Sequence, residues 1–96
     1  MSKYFDDRLR KYTELAVLIK FKKGKPYWKD SGDLVGTLKS GQRSILYKGS
    51  SISAKRLLFF KTTGAIVPES TLIKYKDGDK DNNRMKNYYY KKINIT

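Results

Sequence analysis

Three aspartates at alternate positions form a group of potential metal ligands. Asp77, Asp79 and Asp81 have the spacing with which a calcium-binding loop opens, because carboxylate oxygens are the ligands that Ca²⁺ prefers. The rest of that motif is absent, since Asn82 stands where the loop needs glycine and Tyr88 where it needs glutamate. The spacing therefore favours a solvated acidic turn over a calcium hand.

Lysines are interleaved with aromatic residues over 20–29, in the run KFKKGKPYWK. Three of these lysines are suited to neutralising phosphates: Lys22, Lys23 and Lys25. Tyr27 or Trp28 is suited to stacking on a base. The alternative is that Phe21 and Trp28 pack in the core, while the lysines keep a strand edge wet and unpaired.

A second basic stretch runs from Leu34 to Pro68, where no acidic residue occurs. Four of its cations are candidates for contact with nucleic acid: Arg43, Lys48, Lys55 and Arg56. The alternating pattern over 34–48 predicts a β-hairpin, and a two-stranded ribbon fits the major groove of DNA. The same cations are equally consistent with a solvated surface.

The overall charge favours a polyanionic partner. The 96 residues include 22 Lys and Arg against 9 Asp and Glu, which gives a formal net charge of +13 at pH 7. Such an imbalance causes self-repulsion that a nucleic acid would relieve. The chain has no Cys and no His, which excludes disulfides, thiolate nucleophiles and the usual general base near neutral pH. We expect no cofactor and no bound metal.

The pattern of apolar residues predicts a small α+β fold in a single domain, residues 1–96, because no linker divides the chain. The expected elements in chain order are a helix over 3–19, a basic turn and short strand over 20–29, a hairpin over 34–48, a helix over 52–62 and a strand over 72–76. The helix over 52–62 is expected to form much of the core.

The ends of the later elements are marked by local signals. Ser51 or Ser53 is suited to cap the central helix, and Gly64 suits the left-handed position after its end. Asp77 to Asp79 predict a turn.

The last segment allows two structures. Residues 82–91 predict either a last helix, with Asp81 or Asn82 as its N-cap, or a strand that begins at the three tyrosines. The tail 92–96 is expected to fray.

Several short motifs follow one another in a fixed order. They are YWK at 27–29, AKRLL at 54–58, Gly64 and Pro68, and LIKYKDGDKDNNRMKN at 72–87. This order resembles the small HNH endonucleases found in phage genomes and introns, which carry YW, a basic hairpin, an AHRL helix followed by G and P, and IDHxxGxxxDNRxxNL. The resemblance covers about residues 27–88 and is most specific over 77–87. It implies a helix and basic turn over 1–26, followed by an HNH-like region over 27–91 that contains a ββα-like element.

The departures from the family pattern fall on its reactive positions. In the family the DH pair supplies a metal-binding carboxylate and the histidine that activates water, and the corresponding residues here are Lys74 and Tyr75. The histidine of AHRL corresponds to Lys55, while Asn83 and Asn87 correspond to the middle Asn and the last metal-side residue of the motif. A lysine repels a divalent cation, and a tyrosine with a pKa of about 10 is a poor base at neutral pH. The resemblance therefore implies an HNH-like scaffold with a dismantled nuclease site.

The leading hypothesis is a catalytically inactive, HNH-like DNA-binding protein of phage or mobile-element origin. It would bind duplex DNA through phosphates in the cytoplasm of a bacterial host, without membrane contact, since no apolar run approaches the roughly 18 residues of a membrane span. The expected phosphate contacts are Lys22, Lys23, Lys25, Arg43, Lys48, Lys55, Arg56, Lys74 and Arg84. Lys74 would meet a phosphate in place of the metal.

Two alternatives belong to other classes. One is a small phage protein that binds a host nuclease or polymerase and inhibits or redirects it. The other is a residual metal-dependent nuclease that uses Asp77, Asp79 and Asp81 as relocated ligands.

Overall fold

Seven short strands and two helices follow one another in the part of the chain that the computed structural model describes, residues 3–66 and 71–92. The helices are α1 (Lys3–Leu18) and α2 (Ala54–Thr63). The strands are β1 (Ile19–Lys22), β2 (Lys25–Trp28), β3 (Thr37–Lys39), β4 (Gln42–Tyr47), β5 (Ser50–Ser53), β6 (Thr71–Tyr75) and β7 (Tyr88–Lys92). They pair antiparallel as β1-β2, β3-β4-β5 and β6-β7, so the predicted α+β class is confirmed.

The two helices pack against each other and enclose the main core. Tyr12 and Leu15 of α1 are buried at three-residue spacing, as are Leu57 and Phe60 of α2. The rings of Tyr12 and Phe60 lie 5.5 Å apart between centroids, in a tilted arrangement. Ile45 of β4 closes the same core from the three-stranded sheet. Neither helix in the described ranges has the length and apolar content that crossing a bilayer requires.

The predicted helix over 3–19 and the predicted hairpin over 34–48 are confirmed, with boundaries shifted by a few residues. The basic turn over 20–29 is itself a hairpin, since β1 pairs with β2 from Ile19↔Trp28 to Lys22↔Lys25. Phe21 and Trp28 pack against the main core, as the structural alternative predicts.

The start of α2 differs from the prediction because an additional strand precedes it. β5 pairs with β4 through Ile45↔Ile52, so Ile52 belongs to the sheet and α2 begins at Ala54. The predicted caps are confirmed: the Ser53 side chain accepts a hydrogen bond from the Arg56 backbone N–H, and Gly64 has φ 78°.

The predicted last helix over 82–91 is wrong, and the strand alternative is confirmed. A single 3-10 turn, Met85–Asn87, leads into β7, which pairs with β6 from Tyr75↔Tyr88 onward. The tyrosines favour the strand because a pleated, half-buried surface suits aromatic side chains. Asp81 and Asn82 therefore cap no helix.

The ββα-like element implied by the resemblance is not confirmed: β6 and β7 pair antiparallel, but no helix follows β7 within the described ranges. Lys92 of the predicted frayed tail is the last residue of β7. Residues 93–96 and Pro68 lie outside the described residues.

Candidate nucleic-acid interface

The loop between β6 and β7, residues 76–87, is folded around the Asp77 carboxylate. One oxygen of Asp77 accepts the Asp79 backbone N–H at 2.8 Å and the Asn87 Nδ2 at 3.0 Å, and the other accepts the Asn82 Nδ2 at 2.7 Å. These hydrogen bonds, that from Asn82 first, lower the pKa of Asp77. Both carboxylate oxygens of Asp77 thereby hold the predicted Asp77–Asp79 turn in place. We call residues 76–87 the connecting loop.

Asp81 anchors the connecting loop to two other hairpins. Its carboxylate receives the Arg43 Nε at 2.9 Å and Nη2 at 3.1 Å, and the Lys25 Nζ at 2.7 Å. Arg43 also donates Nη1 to the Val35 and Gly36 carbonyls at 3.2 and 3.1 Å. Burial tends to raise the pKa of Asp81, but the hydrogen bonds from Arg43 and Lys25 outweigh it and hold that pKa below its usual value.

The Gly24 turn of the β1-β2 hairpin touches the same loop through its backbone. The Gly24 carbonyl accepts the Asn83 N–H at 2.8 Å, with Gly24 at φ +83°. A Cβ at this position would lie 2.5 Å from Asn82 Oδ1, so both the dihedral and the space require glycine.

Tyr75 and Asn83, two of the residues that the sequence resemblance singles out, hydrogen-bond to each other. The Tyr75 hydroxyl donates to Asn83 Oδ1 at 2.8 Å, and the Tyr88 hydroxyl donates to the same oxygen at 2.9 Å. Asn83 is only 1% exposed, and its Nδ2 has no hydrogen-bond partner among the described residues. Burial raises the pKa of Tyr75 far above its ordinary value, so its hydroxyl stays protonated at neutral pH.

Asn87, the last of the corresponding positions, ties the two ends of the connecting loop together. Its Nδ2 donates to Asp77 and to the Asn82 carbonyl at 2.9 Å, and its Oδ1 accepts the Asp77 backbone N–H at 3.2 Å. Both sides of this amide are therefore engaged in holding the loop.

The three aspartates considered as relocated metal ligands have separate structural partners. Asp79 accepts the Asp81 backbone N–H at 3.0 Å, while Asp81 faces Arg43 and Lys25. A cation at Asp81 would have to displace two positive side chains. Within the described ranges, no three Asp, Glu, His or Cys side chains are arranged to hold a metal ion.

A cleft of about 350 Å³ lies between the connecting loop, β6, β7 and the start of α2. Its lining residues are Gln42, Lys55, Ile73, Lys74, Tyr75, Gly78, Lys80 and Tyr89. Three of these are lysines and none is acidic. We call it the lysine cleft. It brings together Lys55, Lys74 and Tyr75, three of the residues that the sequence resemblance singles out.

Lys55 is the most constrained cation of the lysine cleft. Its Nζ donates to the Ile73 carbonyl at 3.4 Å across from α2 to β6. Burial of the side chain, together with the charges of Arg56 and Lys80, lowers the pKa of Lys55.

Arg43 is not placed where the sequence predicts it. Instead of facing a phosphate, it is 7% exposed and its guanidinium binds Asp81 inside the fold. Residues two apart on a strand share a face, and Ile45 on the same face of β4 points into the core. This parity is the sequence signal that identifies Arg43 as inward-facing.

The other predicted phosphate contacts are distributed over the surface. Lys25 is engaged by Asp81, and Lys48 contacts the Glu14 carboxylate at 2.7 Å while remaining largely exposed. Lys55 and Arg56 are half-buried on α2. Besides Lys48, the exposed members of the set are Lys22, Lys23, Lys74 and Arg84.

Sequence reasoning assigned no functional role to five of the residues that line the lysine cleft: Gln42, Ile73, Gly78, Lys80 and Tyr89. In the sequence, Lys80 lies between Asp79 and Asp81, which suggests that its charge is compensated locally. In the structure, the Asp79 carboxylate accepts a backbone N–H and the Asp81 carboxylate binds Arg43. Gln42 is the first residue of β4 and follows the β3-β4 turn.

The chain matches no family model, no curated protein and no solved structure.

Proposed function

We propose that this chain is a non-catalytic, HNH-like DNA-binding protein that holds duplex DNA through its phosphates. The exposed cations Lys22, Lys23, Lys74 and Arg84 serve as contacts in this proposal, together with the lysine cleft. Arg43 has a structural role instead.

The observation that carries the proposal is the excess of cations that remains when ion pairs are counted. Asp7 pairs with Lys11 at 3.1 Å, Glu14 with Lys48 at 2.7 Å, and Asp81 with Arg43 at 2.9 Å. These three pairs leave 19 of the 22 cations against 6 of the 9 carboxylates, so the formal net charge of +13 is unchanged. An external polyanion would compensate this excess.

The residues of the lysine cleft support binding without hydrolysis. Tyr75 keeps its proton at neutral pH, because its pKa is raised by burial, so it is not a base there. Lys55 and Lys74 present positive charge where a divalent metal would need carboxylates. These side chains stabilise a bound phosphate instead of activating water.

The test is the salt dependence of binding to two unrelated duplexes, followed by fluorescence anisotropy. With six to ten phosphate contacts, affinity should fall by about 10³–10⁵-fold between 50 and 200 mM salt. Lys22→Gln with Lys23→Gln should flatten the log–log slope by about two, equally on both duplexes. The matched control, Lys29→Gln with Lys39→Gln, removes the same charge and should change the slope by less than about one.

Two results would contradict the proposal. The first is no duplex binding at low salt, and the second is binding that does not respond to salt. Either result would favour the alternative in which the chain acts on a host protein.

A further inference from the structure

The lysine cleft is held by parts of the fold that are already fixed. Lys80 lies between Asp79 and Asp81, both of which are tied within the connecting loop. Tyr75 is held by Asn83, and Lys55 by the Ile73 carbonyl. The Lys55 ammonium is therefore positioned before any ligand arrives, which lowers the entropy that its contact must lose, while Lys74 and Lys80 are exposed on backbone that the fold holds.

The lysines of the lysine cleft have no counter-charge among the residues that line it. Burial and the neighbouring charges of Arg56 and Lys80 disfavour the charged form of Lys55. The nearest carboxylates, Asp79 and Asp81, act on Tyr75 from the loop side, but Asp81 already faces Arg43 and Lys25. An anion placed between the lysines would relieve this repulsion.

The volume of the lysine cleft is larger than a small ion would fill. Its volume of about 350 Å³ is roughly ten times the 30 Å³ that a water molecule occupies in the liquid. Tyr89, which is 46% exposed, and Tyr75 supply apolar surface beside the cations. A sugar attached to a phosphate would cover that surface.

We propose that the lysine cleft binds one sugar–phosphate unit of a nucleic-acid backbone, with Lys55, Lys74 and Lys80 on the phosphate and Tyr89 against the sugar. This inference rests on the proposed function and assigns its main phosphate contact to the lysine cleft. Inorganic phosphate and a free nucleotide share the same chemistry, so the test separates these sources.

The first measurement follows the lysine ammonium signals by NMR during titration with inorganic phosphate and with thymidine monophosphate. We expect the signals of Lys55, Lys74 and Lys80 to shift first, and at lower concentrations of the nucleotide than of phosphate. The pKa of Lys55 should rise as the site fills, because the bound anion stabilises its charged form. Shifts spread evenly over all lysines would overturn the inference.

The second measurement is the salt slope for duplex DNA. Replacing Lys55, Lys74 and Lys80 by Gln should reduce the slope by about three, whereas Lys20, Lys29 and Lys39 replaced by Gln should reduce it by less than about one. Melting temperatures identify any variant that does not fold. In that case the single Lys80→Gln variant, in the exposed loop, should reduce the slope by about one.

The outcomes separate this inference from the proposed function. Wild-type binding to DNA with an unchanged slope in the cleft variants overturns the cleft and leaves the proposed function standing. Nucleotide binding in the cleft without duplex binding overturns the proposed function and the backbone assignment. Equal affinity for inorganic phosphate and nucleotide overturns the contact between Tyr89 and the sugar.

Discussion

The Arg43 guanidinium and the Asp81 carboxylate meet in a two-point contact, with Nε–Oδ1 at 2.9 Å and Nη2–Oδ2 at 3.1 Å. Arg43 belongs to β4 and Asp81 to the connecting loop, 38 residues later. The parallel hydrogen bonds of such a pair fix orientation as well as distance. The contact therefore holds the loop that forms one wall of the lysine cleft against the three-stranded sheet.

Removal of the Asp81 charge should destabilise the fold strongly. Asp81→Asn keeps the shape but leaves Arg43 buried without a counter-charge, which should lower the free energy of unfolding by about 3 kcal/mol. Urea denaturation measures this change. The control is Asp7→Asn, whose side chain is 43% exposed, so the loss should be several-fold smaller. Equal losses in the two variants would contradict the role assigned to Asp81.

The same pair should make the fold sensitive to acid. The pKa of Asp81 is lower in the folded chain than its usual value of 3.8, so its contribution to stability is present above that value and is lost as pH falls through the folded pKa. Urea midpoints should therefore decline below about pH 5, as carboxylates begin to protonate. Asp81→Asn should flatten this decline, whereas an unchanged pH profile in the variant would count against the assignment.

Local signals predicted the parts of the fold that depend on neighbouring residues. Ser53 and Gly64 cap α2 as expected, because a cap requires only the residues of one turn. The role of Asp81 depends on Arg43 and Lys25, which lie 38 and 56 residues away, and no local pattern contains that pairing. The prediction of a last helix was wrong for the same reason, because the pairing of β7 with β6 outweighs the local helical pattern.

The role of the candidate site stays a prediction. The resemblance brought Lys55, Lys74 and Tyr75 into one hypothesis, and these three residues line one cleft, which is as far as the structure compares with it. Lys80 was missed because its position depends on how the acidic side chains beside it turn away.

Glycine at position 24 should be required for contact with the connecting loop as well as for its dihedral angle. Gly24 and Gly49 both have positive φ, at +83° and +81°, but only the Cβ at Gly24 would meet a neighbour within 4 Å. Gly49→Ala should therefore lower the free energy of unfolding by about 1 kcal/mol, which is the cost of the dihedral angle alone. Gly24→Ala should lower it by more than that. Thermal melting of the two variants measures the difference, and equal melting temperatures would show that the loop yields without cost.

The Tyr75 hydroxyl should stabilise the fold through Asn83. Tyr75→Phe removes a partly buried hydrogen bond of 2.8 Å to the buried Asn83 and should lower the free energy of unfolding by about 1 kcal/mol. Tyr47→Phe is the control, because its hydroxyl bonds to Glu14 near the surface and should contribute less. In an absorbance titration of the tyrosines, Tyr75→Phe should remove a group that ionises only well above the ordinary pKa of tyrosine. Ionisation of Tyr75 near that ordinary value would contradict its burial.

Introduction of the two residues of the HNH pattern at positions 74 and 75 should create metal affinity. The wild-type protein should leave supercoiled plasmid intact with Mg²⁺ or Mn²⁺, because Lys74 repels the cation and Tyr75 retains its proton. Lys74→Asp with Tyr75→His places a carboxylate and an imidazole on β6, the strand next to the Asn87 loop end, and calorimetry should detect Ni²⁺ binding. Lys74→Asp alone, which lacks the imidazole, is the control and should bind more weakly. A folded double variant without metal binding would contradict the correspondence of these positions.

Wild-type nicking that disappears in Asp77→Ala or Asp79→Ala would instead establish the residual nuclease with relocated ligands.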